Sequence, residues 1–470
     1  MEVQATIDAR WQEMLAPGYA AATATLCLGV ALFAFNGFLV STALPSTIDE
    51  LGGAALISWS FSLYLLFAIV GGAIAALVKA RFGARIGLQA AALLFTLGTL
   101  QAGLAPTMPV LLAGRVFQGF GEGLIAATCY ALIPEIFPSR LVPKVFGAEA
   151  MVWACAAFGG PVIAGVISET ISWRVAFLIN VPLSLLFMGL VFKVVPRGRE
   201  RLAGEAVPFA QLGAITAGML LVMVADLAGG VLATAGLLVL AALLYAGAVW
   251  GDRRATARLF PSGAFRLRGP TGLGLWVILL MPMAQSAPSV YLVYLIQHLW
   301  GYGPTLAGAL NALMAIAWSI TAIVVAGKAS YALRRRLVWV GPLLLVVGLA
   351  AILAALEFDV IALLAIGQIL IGVGFGTSWG YLCQGLMEAA PQEDRSRTST
   401  LLPTLQSAAY AIGAALLGLV ANMAGAATAT SPEGLREAML VVFAIAIAIA
   451  IPGFIAGLRL SPLLFRTGPD

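Results

Sequence analysis

Residues Leu111–Pro134 read LLAGRVFQGFGEGLIAATCYALIP. The stretch is long and apolar enough to cross a bilayer, whose hydrocarbon core takes about 20 residues of apolar helix. Yet Arg115, Gln118 and Glu122 stand in its middle. They fall at i, i+3 and i+7, which is one face of a helix. An arginine and a carboxylate are expensive at membrane depth, so by default they face a cavity and mark a pathway. The run GFGEG is not a nucleotide loop, because it lies mid-span with no strand before it.

The rest of the chain has the same character. It is 61% hydrophobic and 10% charged, with a mean hydropathy of +1.00. A soluble domain carries roughly 25% charged residues, so the fold class is an all-α polytopic membrane protein. Fourteen apolar runs lie near 19–45, 55–78, 87–105, 109–134, 145–168, 172–195, 208–228, 230–250, 271–297, 304–327, 337–356, 360–387, 398–424 and 437–458. Only Ala228-Gly229-Gly230 separates the seventh from the eighth. Residues 1–18 place Val3, Ile7, Trp11 and Met14 at helical spacing, which predicts an amphipathic segment on the membrane surface. The four cysteines all fall inside apolar runs and His298 is the only histidine, so neither a disulfide framework nor a metal or cofactor site is expected. No nucleophile–base constellation appears either, so the chain does not read as an enzyme.

Charge sets the topology. Lys79, Arg81, Arg85, Arg253, Arg254, Arg334, Arg335 and Arg336 fall in connections on one side. The opposite connections hold Asp49, Glu50, Glu169, Glu357, Asp359 and Glu433, with Arg174 and Arg436 against them. By the positive-inside rule both termini are cytoplasmic. The basic charge then meets anionic lipid, and no nucleic-acid partner is needed. Long basic connections at Pro196–Pro208 and Gly251–Pro270 divide the runs as 6 + 2 + 6. The expected units are an N-terminal segment (1–18), a six-helix bundle (19–195), a linker with two accessory helices (196–270), a second six-helix bundle (271–460) and a tail (461–470). Equal halves around a linker are the pattern of transporters built from repeats, with a substrate site between the halves near the midplane.

Longer motifs carry a family resemblance. LLAGRVFQGFGEG places Arg115, Gln118 and Gly119 in the pattern of a fourth-helix motif. GAEAMVWACAAFGGPVIAGV carries Gly147, Gly160, Pro161 and Gly165 of an antiporter motif, with Ala156 and Ala164 where glycine is usual. ISWRVAFLINVPLSLL is similar to the start of a sixth helix, through Trp173, Arg174, Asn180 and Pro182. On these residues the chain resembles the major facilitator superfamily and, within it, the fourteen-helix drug:proton antiporters. The resemblance covers nearly the whole length. It implies alternating access without a cofactor, by a monomer in a bacterial inner membrane. It also implies that VKARFGARIG, with Arg81, Gly83 and Arg85, acts as a conformational latch.

Two departures matter. FNGFLVSTALPSTIDEL has Asn36 where drug antiporters usually carry an aspartate, and the latch acid is replaced by Ala80. Glu122 becomes the expected proton carrier, with Arg115 as its partner: burial favours the neutral acid and a nearby arginine the carboxylate. Gly121 and Gly123 leave room beside it for a partner or a substrate. Pro161 bends the fifth helix, whose small residues admit a close neighbour. Glu149 reads as solvated near the cytoplasmic start of that helix, and His298 as an interfacial histidine. Expected substrate-binding residues are Asn36, Gln118, Trp153, Gln285, Tyr291, Tyr294, Asn311, Trp379 and Gln406, a set able to stack on and hydrogen-bond an amphipathic organic molecule. The favoured expectation is proton-coupled efflux of lipophilic or amphipathic compounds. The alternative is a carrier for one metabolite, such as a vitamin, siderophore or lipid-like compound.

Overall fold

The computed structural model describes residues 11–464 apart from 17, 139–140, 197–207, 229, 256–257 and 326–330. Each apolar run becomes helix, and no strand forms among the described residues. In chain order the helices are α1 (Trp11–Met14), α2 (Ala20–Leu51), α3 (Ile57–Phe82), α4 (Ala84–Gly103), α5 (Met108–Ile136) and α6 (Val142–Thr170). Next come α7 (Trp173–Leu178), α8 (Asn180–Val194), α9 (Phe209–Val224), α10 (Val231–Asp252) and α11 (Pro270–Trp300). The last are α12 (Pro304–Val325), α13 (Tyr331–Phe358), α14 (Ile361–Ala389), α15 (Arg395–Met423) and α16 (Pro432–Leu460).

Among the described residues 13 helical segments are long and apolar enough to cross a membrane. The seventh run departs from expectation: α9 has 16 residues. At 1.5 Å per residue α9 reaches about 24 Å, and only the 3₁₀ turn Ala225–Leu227 that continues it brings the run to the ~30 Å of a hydrocarbon core. The sixth run breaks into α7 and α8 because Pro182 has no N–H for the Leu178 carbonyl and its ring crowds that group. The Asn180 amide donates to the Phe177 carbonyl at 3.3 Å beside the break. The predicted surface segment also differs. Residues 1–10 lie outside the described residues, and only Trp11–Met14 is helical. The Tyr19 N–H donates to the Ala16 carbonyl at 2.9 Å, and Met14 joins the core of the first half instead of facing lipid.

That first half, α2–α8, closes on Leu32, Phe95, Ile125 and Phe187. The second, α11–α16, closes on Leu382, Phe375 and Phe443. The pair α9–α10 lies against the seam between them: Val222 and Met223 meet Trp59 and Leu63 of α3 and Ala415 of α15. The basic connection after α10 is pinned in place. Asp252 accepts from the backbone N–H groups of Leu259 (2.5 Å) and Phe260 (3.0 Å), and Asp394 accepts from that of Ser262 (2.8 Å).

The two halves meet at the end that carries the acidic connections. Asp49 of α2 faces His298 of α11 at 3.0 Å, and Glu169 of α6 accepts from the hydroxyl of Thr305 at 2.5 Å and from its N–H at 3.2 Å. The Asn422 amide of α15 donates to the Ala55 carbonyl at 2.8 Å. At the basic end the named contacts stay within one half: Lys79 pairs with Glu135, and the Arg85 Nε donates to the Val195 carbonyl at 2.5 Å. His298, expected as an interfacial side chain, is therefore a bridge between halves.

Candidate functional site

The middle of the first half buries an acid completely. Glu122, Asn36 and Gln118 are 0% exposed, Arg115 1% and Tyr64 4%. The Tyr64 hydroxyl donates to Glu122 Oε2 at 2.5 Å, and Asn36 Nδ2 donates to the same oxygen at 3.2 Å. The other carboxyl oxygen, Oε1, is buried and has no partner among the described residues.

The expected Arg115–Glu122 partnership is indirect. Seven residues along one helix separate the two Cα atoms by about 10.5 Å, and Tyr64 of α3 fills the space between them. The Arg115 guanidinium lies 4.0 Å from the centre of the Tyr64 ring. Its Nε donates to the Ser60 carbonyl at 3.1 Å, and a terminal nitrogen donates to Gln118 Oε1 at 2.8 Å. One aromatic side chain thus serves the cation with its face and the acid with its hydroxyl. Tyr64 can come this near because residue 119 is glycine: a Cβ there would overlap the Tyr64 carbonyl. Gly121 and Gly123 leave no room for a substrate, against expectation. They rest on the backbones of Ala91 in α4 and Ala68 in α3.

The expected substrate residues scatter. Gln118 is not available to a substrate: its Nε2 donates to Thr99 Oγ1 at 3.0 Å, and the amide is enclosed between α4 and α5. Asn36 is enclosed as well, turned to Glu122. Trp153 meets Phe33 edge-on at 5.6 Å, and Phe33 stacks on Tyr64 at 6.3 Å, so an aromatic row runs from α6 to Arg115. In the second half the Gln368 amide donates to Asn311 at 3.5 Å, and Trp379 packs with Trp318 and Phe375. Gln285 accepts from the Ser289 hydroxyl at 3.0 Å, and Gln406 bonds to Tyr410. Tyr291 sets its hydroxyl beside Gly418, and Tyr294 stacks on His298 at 4.0 Å, so both belong to the closed acidic end.

The motif residues make contacts of their own. Gly83 ends α3 with φ 85°, a left-handed conformation that glycine adopts freely. Arg81 lies 5.9 Å from the Phe82 ring and Arg85 lies 5.3 Å from that of Phe192. With Ala80 in the acid's place, Glu135 of α5 supplies the carboxylate, to Lys79. On α6, Gly160 meets Phe38 of α2, while Gly165 rests on Pro304 and Thr305 of α12. Pro161 lies under Gly308, again across the halves.

Glu149 corrects the sequence reading. It is 2% exposed, and among the described residues neither carboxyl oxygen has a hydrogen-bond partner. It stands seven and eleven residues before Ala156 and Gly160, on the inward stripe of α6, so its azimuth overrides its nearness to the helix end. Sequence reasoning also missed Tyr64, Ser60 and Phe33. The available signal was the polar run Ser58, Ser60, Ser62, Tyr64 inside an otherwise apolar stretch.

Residues 26–414 match the family profile of the Major Facilitator Superfamily. The chain belongs to this superfamily. It is a multi-pass membrane transporter of that class. A probable multidrug-efflux transporter of Mycobacterium tuberculosis is 32% identical over 448 residues, 92% of this chain and 94% of that one. The multidrug transporter protein MdtP of Bacillus subtilis is 24% identical over 402 residues, 84% of this chain and 74% of its own. Among solved structures, the peptide transporter POT superposes with a TM-score of 0.66 at 17% identity, over 94% of this chain and 95% of that one. A D-xylose–proton symporter superposes with 0.62 at 17% identity, over 92% and 97%. These two share the fold.

Proposed function

We propose that this transporter exports lipophilic or amphipathic organic compounds in exchange for protons, and that Glu122 carries the proton. The observation behind it is the position of the Glu122 carboxyl. It touches Asn36, the residue that stands where the drug antiporters usually place an aspartate. The acid missing from α2 is supplied by α5 at the same spot. Two opposing influences act on it: Tyr64 and Asn36 donate to one oxygen and the Arg115 cation is held one ring away, which suit the carboxylate, while complete burial suits the neutral acid. The relatives named for multidrug efflux support the direction of transport.

In this reading the chain crosses a bacterial inner membrane fourteen times as 6 + 2 + 6, with α9 the short seventh span. Both termini are cytoplasmic, a monomer is the working unit, and the basic connections meet anionic lipid. The contacts at the acidic end then make this arrangement closed to the outside. Trp153, Gln285, Asn311, Trp379 and Gln406 serve the substrate path, while Tyr291 and Tyr294 close it. Arg81, Gly83, Arg85, Gly160, Pro161 and Gly165 act in the change between arrangements.

Proteoliposomes test the reading. Glu122→Gln abolishes uphill transport and leaves substrate exchange intact; undiminished uphill transport would remove Glu122 from coupling. A thermal-shift screen tests the substrate class. Many weak, diverse hits fit polyspecific efflux, whereas one sharp hit would point to a dedicated carrier.

A further inference from the structure

Glu149 is the buried acid that the site around Glu122 does not use. Its side chain turns inward from α6, and the titratable groups that face it are Cys27 of α2 and Cys129 and Tyr130 of α5. No cation among the described residues compensates it. Lys144 on its own helix points about 140° away at 100° per residue. Among the described residues a carboxylate at this place would have neither a counter-ion nor a donor, a costly state. The packing therefore suits the neutral acid.

Its location relative to Glu122 is informative. Cys129 follows Glu122 by seven residues on α5, about 10.5 Å along the axis toward the basic end. Between the two levels, α2 and α5 touch at Gly29, where a Cβ would lie 2.8 Å from Cys129 Sγ and 3.4 Å from an Ile125 methyl. A layer of thiol and hydrocarbon thus separates two buried acids of one half. Close contacts of α6 with α12 lie at Pro161, Gly165 and Glu169, toward the opposite end of the helix. The segment around Glu149 lies at the end that must close when the acidic end opens.

We propose that Glu149 is a second proton-binding carboxyl, serving the basic end of the first half as Glu122 serves its middle. Its part in transport rests on the reading of Glu122. When water reaches it from the basic end, the carboxyl O–H passes its proton to that water and leaves a carboxylate. The carboxylate takes up a proton again before the side chain is reburied.

Two measurements test this. Purified wild-type protein is treated with dicyclohexylcarbodiimide, which attacks protonated carboxyls in apolar surroundings, and its peptides are mapped by mass spectrometry across pH. Glu149 is modified, less so as pH rises; no modification of Glu149 at any pH overturns the proposal. Infrared difference spectra between acid and alkaline pH then compare wild type, Glu149→Gln and Glu122→Gln. Glu149→Gln removes a carboxylic C=O band that Glu122→Gln keeps, and a wild-type spectrum from Glu149→Gln overturns the proposal. If the band assigned to Glu149 is present and none disappears in Glu122→Gln, the reading of Glu122 fails and that of Glu149 stands.

Discussion

Alanine at position 123 forces α3 and α5 apart. A methyl group there would overlap the Ala68 carbonyl oxygen, lie 2.6 Å from its carbon and 2.8 Å from the Ala68 Cα. All three are backbone atoms, so no rotamer change relieves the clash. Moving from 2.6 Å to the 3.4 Å at which ordinary contact begins opens a gap along the interface. A gap of about 0.5–1 Å forfeits a quarter to a half of the dispersion energy across it. Overpacking a filled core costs about 1–3 kcal/mol, and an immovable neighbour puts Gly123→Ala near the top of that range. Gly72 on the facing helix is the control. A Cβ there meets Gly123 O at 3.5 Å and the Ala127 Cβ at 3.9 Å, both ordinary distances. Gly72→Ala therefore gains about 0.5–1 kcal/mol from the lower entropy cost of alanine in a helix. The same chemical change, on two helices in contact, has opposite signs. Denaturant unfolding in detergent, followed by tryptophan fluorescence, places Gly123→Ala about 2–3 kcal/mol below Gly72→Ala, because the helix gain of alanine is common to both. Equal stability of the two variants would mean that α3 and α5 are not in backbone contact, and the Tyr64–Glu122 bond would fall with that contact.

Two further substitutions separate the parts of the site and of the closure. Tyr64→Phe keeps the ring beneath Arg115 and removes the donor to Glu122, costing about 1–3 kcal/mol in the same unfolding assay. Tyr64→Leu also removes the ring and costs about 1–2 kcal/mol more; a variant no less stable than Tyr64→Phe would show that the ring does not hold the cation. Asp49→Asn weakens the bridge to His298, so a cysteine placed at the buried Thr42 reacts several-fold faster with a membrane-impermeant thiol reagent added at the acidic end. An unchanged rate would show that this bridge does not hold the acidic end shut.

The apolar runs located the helices because length and hydropathy suffice for that, and helical phase alone put Arg115, Gln118 and Glu122 on one face. What lies between those residues was not legible, because Tyr64 and Ser60 come from another helix and their distance in sequence carries no phase information. Glu149 was misread for a related reason. Its nearness to a charged connection suggested solvent, whereas its azimuth, shared with Ala156 and Gly160, turns it inward. The glycines of GFGEG were legible as small but not as occupied space, since the backbones that fill it belong to α3 and α4. Asn36 stands in the sequence only as a missing aspartate; the fold is what brings a carboxyl from α5 to its amide.

Glu169 belongs to the first half, yet the group that it holds opens a helix of the second. Thr305 lies in the first turn of α12, where backbone N–H groups have no partner within the helix and carry the positive end of its dipole. The carboxylate is thus a helix cap borrowed from the opposite half. A parting of the halves at this end would strip α12 of its cap and leave water or a dissolved anion to replace it. A dissolved anion able to take the place of that cap would favour the parted arrangement, whatever the substrate.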